Sequence, residues 1–150
     1  MNSDSYTKAS SGGCVWVELD TWRNEFDALD EAEPVAAAFF RGLMRRAQKH
    51  GLGDGDYRAP VGLKLSRLNR PWIAEFRTLS GNETQHLRLY WGEAPEDDKS
   101  LVACLVGAKA ARTPLHRSLP TQDRHIGTAM DRLAGWCRSA ATTCRKLRQH

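Results

Sequence analysis

The sequence has no run of consecutive apolar residues that approaches the ~20 needed to cross a membrane as a helix. Its first thirteen residues are polar, unlike the charged and then apolar order of an export signal. The four cysteines include no C-x-x-C pair and no Cys/His couple at zinc-finger spacing. We therefore expect a cytoplasmic chain with no membrane span, no metal and no other cofactor. Reduced thiols fit that compartment, although an even number of cysteines leaves disulfides open.

What the chain does have is an ordinary globular composition, with 150 residues, 41% of them hydrophobic and 27% charged. This is enough for one domain with one core. The net charge of +4 is unevenly spread. Residues 1–60 hold 7 basic and 10 acidic residues, whereas residues 61–150 hold 15 basic and 8 acidic residues. A basic C-terminal part favours a polyanionic partner such as RNA or DNA, and its alternative is a merely solvated surface.

Local patterns divide the chain into a flexible tail at 1–13, a single domain at 14–138 and a basic tail at 139–150. Alternating residues predict a strand over 14–19, with Val15, Val17 and Leu19 on one face. Asp20 can cap a first helix, and Pro34 opens a second that ends near His50, where Gly51 supplies a left-handed cap. These two helices form a predicted hairpin.

The rest of the domain is rich in predicted strands, at 63–68 (weak), 72–78, 85–91 and 101–108. Short turns between them indicate an antiparallel meander. Thr121 can cap a last helix with a periodic apolar face. The fold class is α+β: an N-terminal strand and helical hairpin packed on a small twisted antiparallel sheet of three to five strands, with a C-terminal helix and the helices on one face.

Several residues recur in an order typical of one protein family. They are Glu75-Phe76-Arg77 on one strand, Arg88 before apolar residues on the next, an apolar strand reaching Gly107-Ala108-Lys109, then Thr113-Pro114 and a helix with Ala129 and Arg132. In this order the chain resembles the RelE/HigB/ParE superfamily of type II toxins, most of all its HigB-like, phage-associated branch. The resemblance covers about residues 14–138. The chain departs from the pattern in lacking a second lysine after Lys109 and a tyrosine after the last helix.

The resemblance implies a RelE-like microbial RNase fold and a toxin that cleaves mRNA on the ribosome by attack of a ribose 2′-OH on the scissile phosphate. It also implies neutralisation by a cognate antitoxin protein in a toxin–antitoxin hetero-oligomer. The same superfamily leaves open a ParE-like inhibitor of DNA gyrase or topoisomerase. The missing lysine leaves open a degenerate, non-catalytic phage-derived binding protein.

For RNA cleavage the catalytic candidates are Arg77, Arg88, Lys109 and His125. The arginines suit a phosphate, since a guanidinium binds two oxygens at once. Lys109 among arginines has a depressed pKa and is the candidate base, while His125 is the candidate acid. The candidate RNA-binding or phosphate-binding residues are Lys64, Arg67, Arg112, Arg117 and Arg124.

Each candidate also has a structural interpretation. Arg77 and Arg88 are solvent-facing strand residues in that case, with Arg77 paired to Glu75 or Glu83. Lys109 is then an edge charge, and His125 is a surface residue near the start of the last helix. His86 is a strand residue without chemistry. Trp72 and Trp91 are mostly core, although an exposed indole beside Arg88 could stack on a base.

Overall fold

The computed structural model describes residues 5–62, 70–94, 99–111 and 115–147, without the side chains of 115–119. Within these ranges the chain forms three helices and four strands, and short 3-10 turns lie at Lys8–Ser11 and Asp54–Asp56. In chain order they are β1 (Val15–Glu18), α1 (Asp20–Ala32), α2 (Pro34–Gln48), β2 (Ile73–Leu79), β3 (Gln85–Glu93), β4 (Ser100–Ala110) and α3 (Leu115–Ser139). The predicted strand at 63–68 lies outside the described residues. No helix in the described ranges is long and apolar enough to span a membrane.

The strands form one sheet in the order β1-β4-β3-β2, which confirms the predicted α+β class. β2, β3 and β4 make the expected antiparallel meander. β1 instead pairs in parallel with β4, so the sheet is mixed rather than wholly antiparallel. The long excursion of the chain between β1 and β4 makes this possible, because parallel neighbours need a crossover connection.

The helices lie on both faces of the sheet, and the prediction that they share one face is wrong. On one face Trp16 donates from Nε1 to the Met44 carbonyl of α2, 2.9 Å away, and its ring contacts Phe76 and Trp91. On the other face a Cβ at Gly92 would lie 2.3 Å from Leu133 of α3. Successive strand residues point to opposite faces of the sheet. Trp91 therefore faces the layer that contains α2, and the neighbouring Gly92 faces α3.

Residues 5–13 belong to the packed domain rather than to a flexible tail. Thr7 and Ala9 are fully buried. Thr7 donates its hydroxyl to the Glu93 carboxylate, which also accepts the Lys8 amide at 2.9 Å. The other oxygen of Glu93 accepts Arg145 at 3.0 Å, so one buried carboxylate holds segments from both ends of the chain. Such contacts override the Ser/Gly-rich composition that predicts flexibility.

The C-terminal part of the chain also differs from the prediction. α3 begins at Leu115 rather than near Thr121 and carries Pro120 inside it. Proline lacks an N–H and is usually a break signal, which explains the late predicted start. Residues up to 147 also pack against the domain. Lys146 forms an antiparallel β-bridge with Pro71, and Leu147 is buried. The predicted basic tail is therefore part of the fold over this stretch.

The end of α2 follows the prediction at Gly51. Its φ is +96°, and its N–H donates to the Arg46 carbonyl at 2.8 Å. A Cβ at this position would lie 2.1 Å from the Ser10 carbonyl oxygen, because the N-terminal segment crosses directly over the helix end. Only glycine meets both the positive φ and this close approach.

We expect Gly51→Ala to lower the free energy of unfolding by more than about 1 kcal/mol, since both backbone strain and the contact with Ser10 oppose a Cβ. Gly42→Ala is the control, because Gly42 lies in α2 with open space around its Cα. Removing its conformational freedom should raise stability by about 0.5–1 kcal/mol. Urea unfolding measures both changes, and equal effects of the two substitutions would contradict this account of the helix end.

Candidate functional site

Strand register brings four of the basic side chains to one face of the sheet. Arg77 of β2 lies opposite Arg88 of β3, and His86 of β3 lies opposite Lys109 of β4. Cross-strand partners share a face, as do residues two apart on one strand. The face is the one that α3 covers, since Gly107, opposite Arg88, lies against that helix.

α3 adds His125 to this group. A Cβ at Gly107 would lie 2.6 Å from His125 Nδ1, so the imidazole rests directly on the β4 backbone. One turn earlier, Gln122 Oε1 accepts a hydrogen bond of 3.0 Å from Lys109 Nζ. Residues three apart share a helix face, which explains why both reach the same stretch of β4. We define the basic cluster as Arg77, His86, Arg88, Lys109 and His125.

Burial and crowding of like charges lower the pKa of three members of the basic cluster. The pKa of Lys109 is lowered chiefly by burial and then by Arg88, with Glu75 opposing the shift. The pKa of His125 is lowered by burial and then by Arg124, and that of His86 by burial and then by Arg88. The imidazoles are therefore neutral at pH 7. A lowered pKa favours the neutral imidazole of His125, which is the form able to accept a proton.

One member of the basic cluster, Arg88, forms a buried ion pair with Glu75 on the neighbouring strand. Arg88 Nε is 3.1 Å from Glu75 Oε2, and the two side chains are only 6% and 1% exposed. Glu75 therefore neutralises the charge of Arg88, and the Arg88 side chain does not face solvent. Arg77, in contrast, is exposed. Of the two arginines, Arg77 is the one placed to meet an incoming phosphate.

A second ion pair positions α3. Arg132 Nη2 lies 2.9 Å from Glu25 Oε2 of α1, and Arg132 Nη1 donates to the Cys104 carbonyl of β4 at 2.9 Å. Glu25 Oε1 also accepts the Val106 N–H at 3.0 Å. These bonds tie both helices to the part of β4 that extends beyond its pairing with β1, which ends at Ala103.

The other predicted site residues fall in different places. Arg124 is exposed on α3. Lys64, Arg67 and Arg112 lie outside the described residues, as does the side chain of Arg117. Trp72 and Trp91 are buried, so neither of these two indoles can stack on a base. The sequence reading missed Glu75 as the partner of Arg88, gave His86 no role and did not single out Gln122. The strand alternation that puts Glu75 on the face of Arg77 is the signal that could have found it.

The cysteines take no part in this site. Cys14, Cys104, Cys137 and Cys144 are all buried and free. Burial raises the pKa of Cys104, and it raises the pKa of Cys137 to about 12. A nucleophilic cysteine needs a lowered pKa, so Cys104 and Cys137 are packing residues.

Comparisons with protein-family models, with curated protein sequences and with solved structures find no match for this chain.

We expect Arg88→Met to lower the free energy of unfolding by about 3–5 kcal/mol, because it leaves the Glu75 carboxylate buried without its partner. The double variant Glu75→Leu with Arg88→Met should lose much less, since no uncompensated charge remains. Urea unfolding of the two single variants and the double variant gives the coupling free energy. Additive losses would show that the pair is not coupled in the folded protein.

We expect the free energy of unfolding to fall as the pH drops from 7.5 to 5. The folded protein lowers the pKa of His86 and His125, so the unfolded chain binds protons first and acid favours unfolding. His125→Gln should flatten this dependence, whereas His50→Gln, at an exposed position, should not. Urea unfolding at several pH values measures this dependence. A steeper fall in the free energy of unfolding of His125→Gln would contradict a lowered His125 pKa in the folded protein.

Proposed function

We propose that this protein is a toxin of a type II toxin–antitoxin system that cleaves mRNA on the ribosome. The observation that supports this most is the convergence of Arg77, Lys109 and His125 on one face of the sheet. Together these side chains offer a fixed cation, a second cation with a lowered pKa and a neutral imidazole. Transfer of a phosphoryl group without a metal needs these three kinds of group.

The reaction proposed is attack of a ribose 2′-oxygen on the adjacent phosphorus. The O2′–P bond forms and the P–O5′ bond breaks, which leaves a 2′,3′-cyclic phosphate and a 5′-hydroxyl. His125 accepts the proton of the 2′-hydroxyl, which its neutral state allows. Arg77 and Lys109 stabilise the charge on the phosphorane oxygens.

Lys109 is the proposed acid that protonates the departing 5′-oxygen. From the sequence it was instead the candidate base. Its lowered pKa makes its proton easier to release than that of a free lysine. The hydrogen bond to Gln122 holds the ammonium in place.

The partners in this proposal are the ribosome with its mRNA and a cognate antitoxin that covers or displaces the basic cluster. The excess of basic over acidic residues in 61–150 favours association with ribosomal RNA. The competing candidate is a non-catalytic binding protein, including a ParE-like topoisomerase inhibitor. The burial of Arg88 against Glu75 favours that candidate, because it removes one arginine from the phosphate.

The test is expression of the chain in a growing bacterium, with mapping of mRNA ends, and cleavage of mRNA by the purified protein with and without ribosomes. We expect growth arrest and new 5′ ends only where ribosomes are present. His125→Ala and Lys109→Ala should each lower the cleavage rate by about 10²–10⁴-fold, as loss of an acid or base does. Arg138→Ala, exposed near the end of α3, should leave the rate unchanged.

Two outcomes would overturn the proposal. Growth arrest with intact mRNA and altered DNA supercoiling would identify a topoisomerase inhibitor. Growth unaffected by the wild-type chain would identify a protein without toxicity.

A further inference from the structure

A small cleft opens beside the basic cluster at the outer edge of β2. It has a volume of about 120 Å³ and is lined by Gly55, Asp56, Tyr57, Arg58, Glu75 and Arg77. Pockets that enclose a whole small-molecule ligand measure about 300–1,000 Å³. This cleft therefore accepts the edge of a flat group rather than a complete nucleotide.

The wall of the cleft contains a carboxylate with unused hydrogen-bonding capacity. Both oxygens of Glu75 are buried, and neither accepts a hydrogen bond from any residue in the described ranges. Arg88 neutralises the charge at 3.1 Å without the alignment of a hydrogen bond. Buried acceptors without donors are costly, so a ligand that supplied donors to these two oxygens would gain free energy of binding.

The Arg58 guanidinium indicates what kind of group fits there. Its Nη1 lies 4.0 Å from Glu75 Oε1, too far for a hydrogen bond, and its side chain is 67% exposed. A guanidinium presents parallel N–H donors in one plane. A ligand that displaced this exposed side chain would place its own planar pair of donors against Glu75.

We propose that Glu75 binds the Watson–Crick edge of a guanine base, so that the site selects guanine nucleotides in single-stranded RNA. The inference rests on the proposed function and deepens it by naming the substrate class. Guanine offers N1–H and N2–H donors side by side, which match the two oxygens of a carboxylate. Adenine presents an acceptor at N1, and uracil and cytosine likewise lack two adjacent donors. Exposed Arg58 and Arg77 bind the flanking phosphates.

The experiment measures binding of mononucleotides to the full chain by titration calorimetry, with inorganic phosphate as competitor. We expect GMP to bind at least about tenfold more tightly than AMP, UMP or CMP, the discrimination typical of a paired base contact. IMP, which keeps N1–H and lacks the N2 amino group, should fall between GMP and AMP. Equal affinities for the nucleotides would overturn the proposal and leave a phosphate site only.

Two variants separate the base contact from the phosphate contacts. Glu75→Gln, which replaces one acceptor by a donor, should reduce the ratio of GMP to AMP affinity to about one. Arg58→Gln should weaken both nucleotides and keep the ratio. If Glu75→Gln fails to fold because Arg88 loses its partner, the IMP series with the wild-type chain decides the question alone. A ratio unchanged in folded Glu75→Gln would overturn the assignment.

Cleavage mapping distinguishes this inference from the function on which it rests. Cleavage at sites without a preferred guanine, together with equal nucleotide affinities, rejects guanine selection and keeps the nuclease. Selective GMP binding by a chain that cuts no mRNA rejects the nuclease and keeps the guanine site.

Discussion

The close approach of α3 to the sheet is the constraint on which the site depends. At Gly92 and Gly107 the helix lies so near the strands that a Cβ would collide with Leu133 and His125. Residues without side chains on β3 and β4 thus let the helix come down to the backbone. This contact places an imidazole and the Gln122 amide beside side chains that belong to three strands. Without it, His125 and Gln122 would not reach the basic side chains of the strands.

Charge inside the sheet is arranged so that the surface cations remain available. The Glu75 carboxylate absorbs the charge of buried Arg88, which would otherwise be an uncompensated cation in the core. Arg77, one strand away, is left to face solvent. The same carboxylate limits the depression of the Lys109 pKa, because it opposes the effect of Arg88. A single acidic residue therefore tunes the neighbours that the proposed chemistry uses.

Much of the fold could be predicted from the sequence, because amphipathic periodicity and turn residues act locally. The helical hairpin, the antiparallel meander and the helix cap at Gly51 could be predicted for this reason. The placement of α3 opposite the hairpin could not be predicted, since an apolar helix face does not say which side of a sheet it covers. The packing of Thr7 and Ala9 depends on Glu93, which lies far away in the chain.

For the site, strand alternation was enough to put Arg77 and Arg88 on one face. It could not show that one is buried and the other exposed, because that difference depends on how helix and loop cover the sheet. The protonation of His125 likewise depends on burial, and burial is a property of the folded chain.

The two edges of the sheet limit how another protein can bind this one. The edge strand β1 has only four residues, and beyond it Glu25 and Arg132 bond to the backbone of β4 at Val106 and Cys104. On the far side, the β2 backbone at Glu75 exchanges two hydrogen bonds with Arg58, and Ile73 accepts one from Val61. A partner that added its own strand would find few vacant backbone groups in the described part of either edge. Over the described residues, these contacts oppose edge-to-edge pairing of the sheet and leave side-chain surfaces as the larger area for recognition.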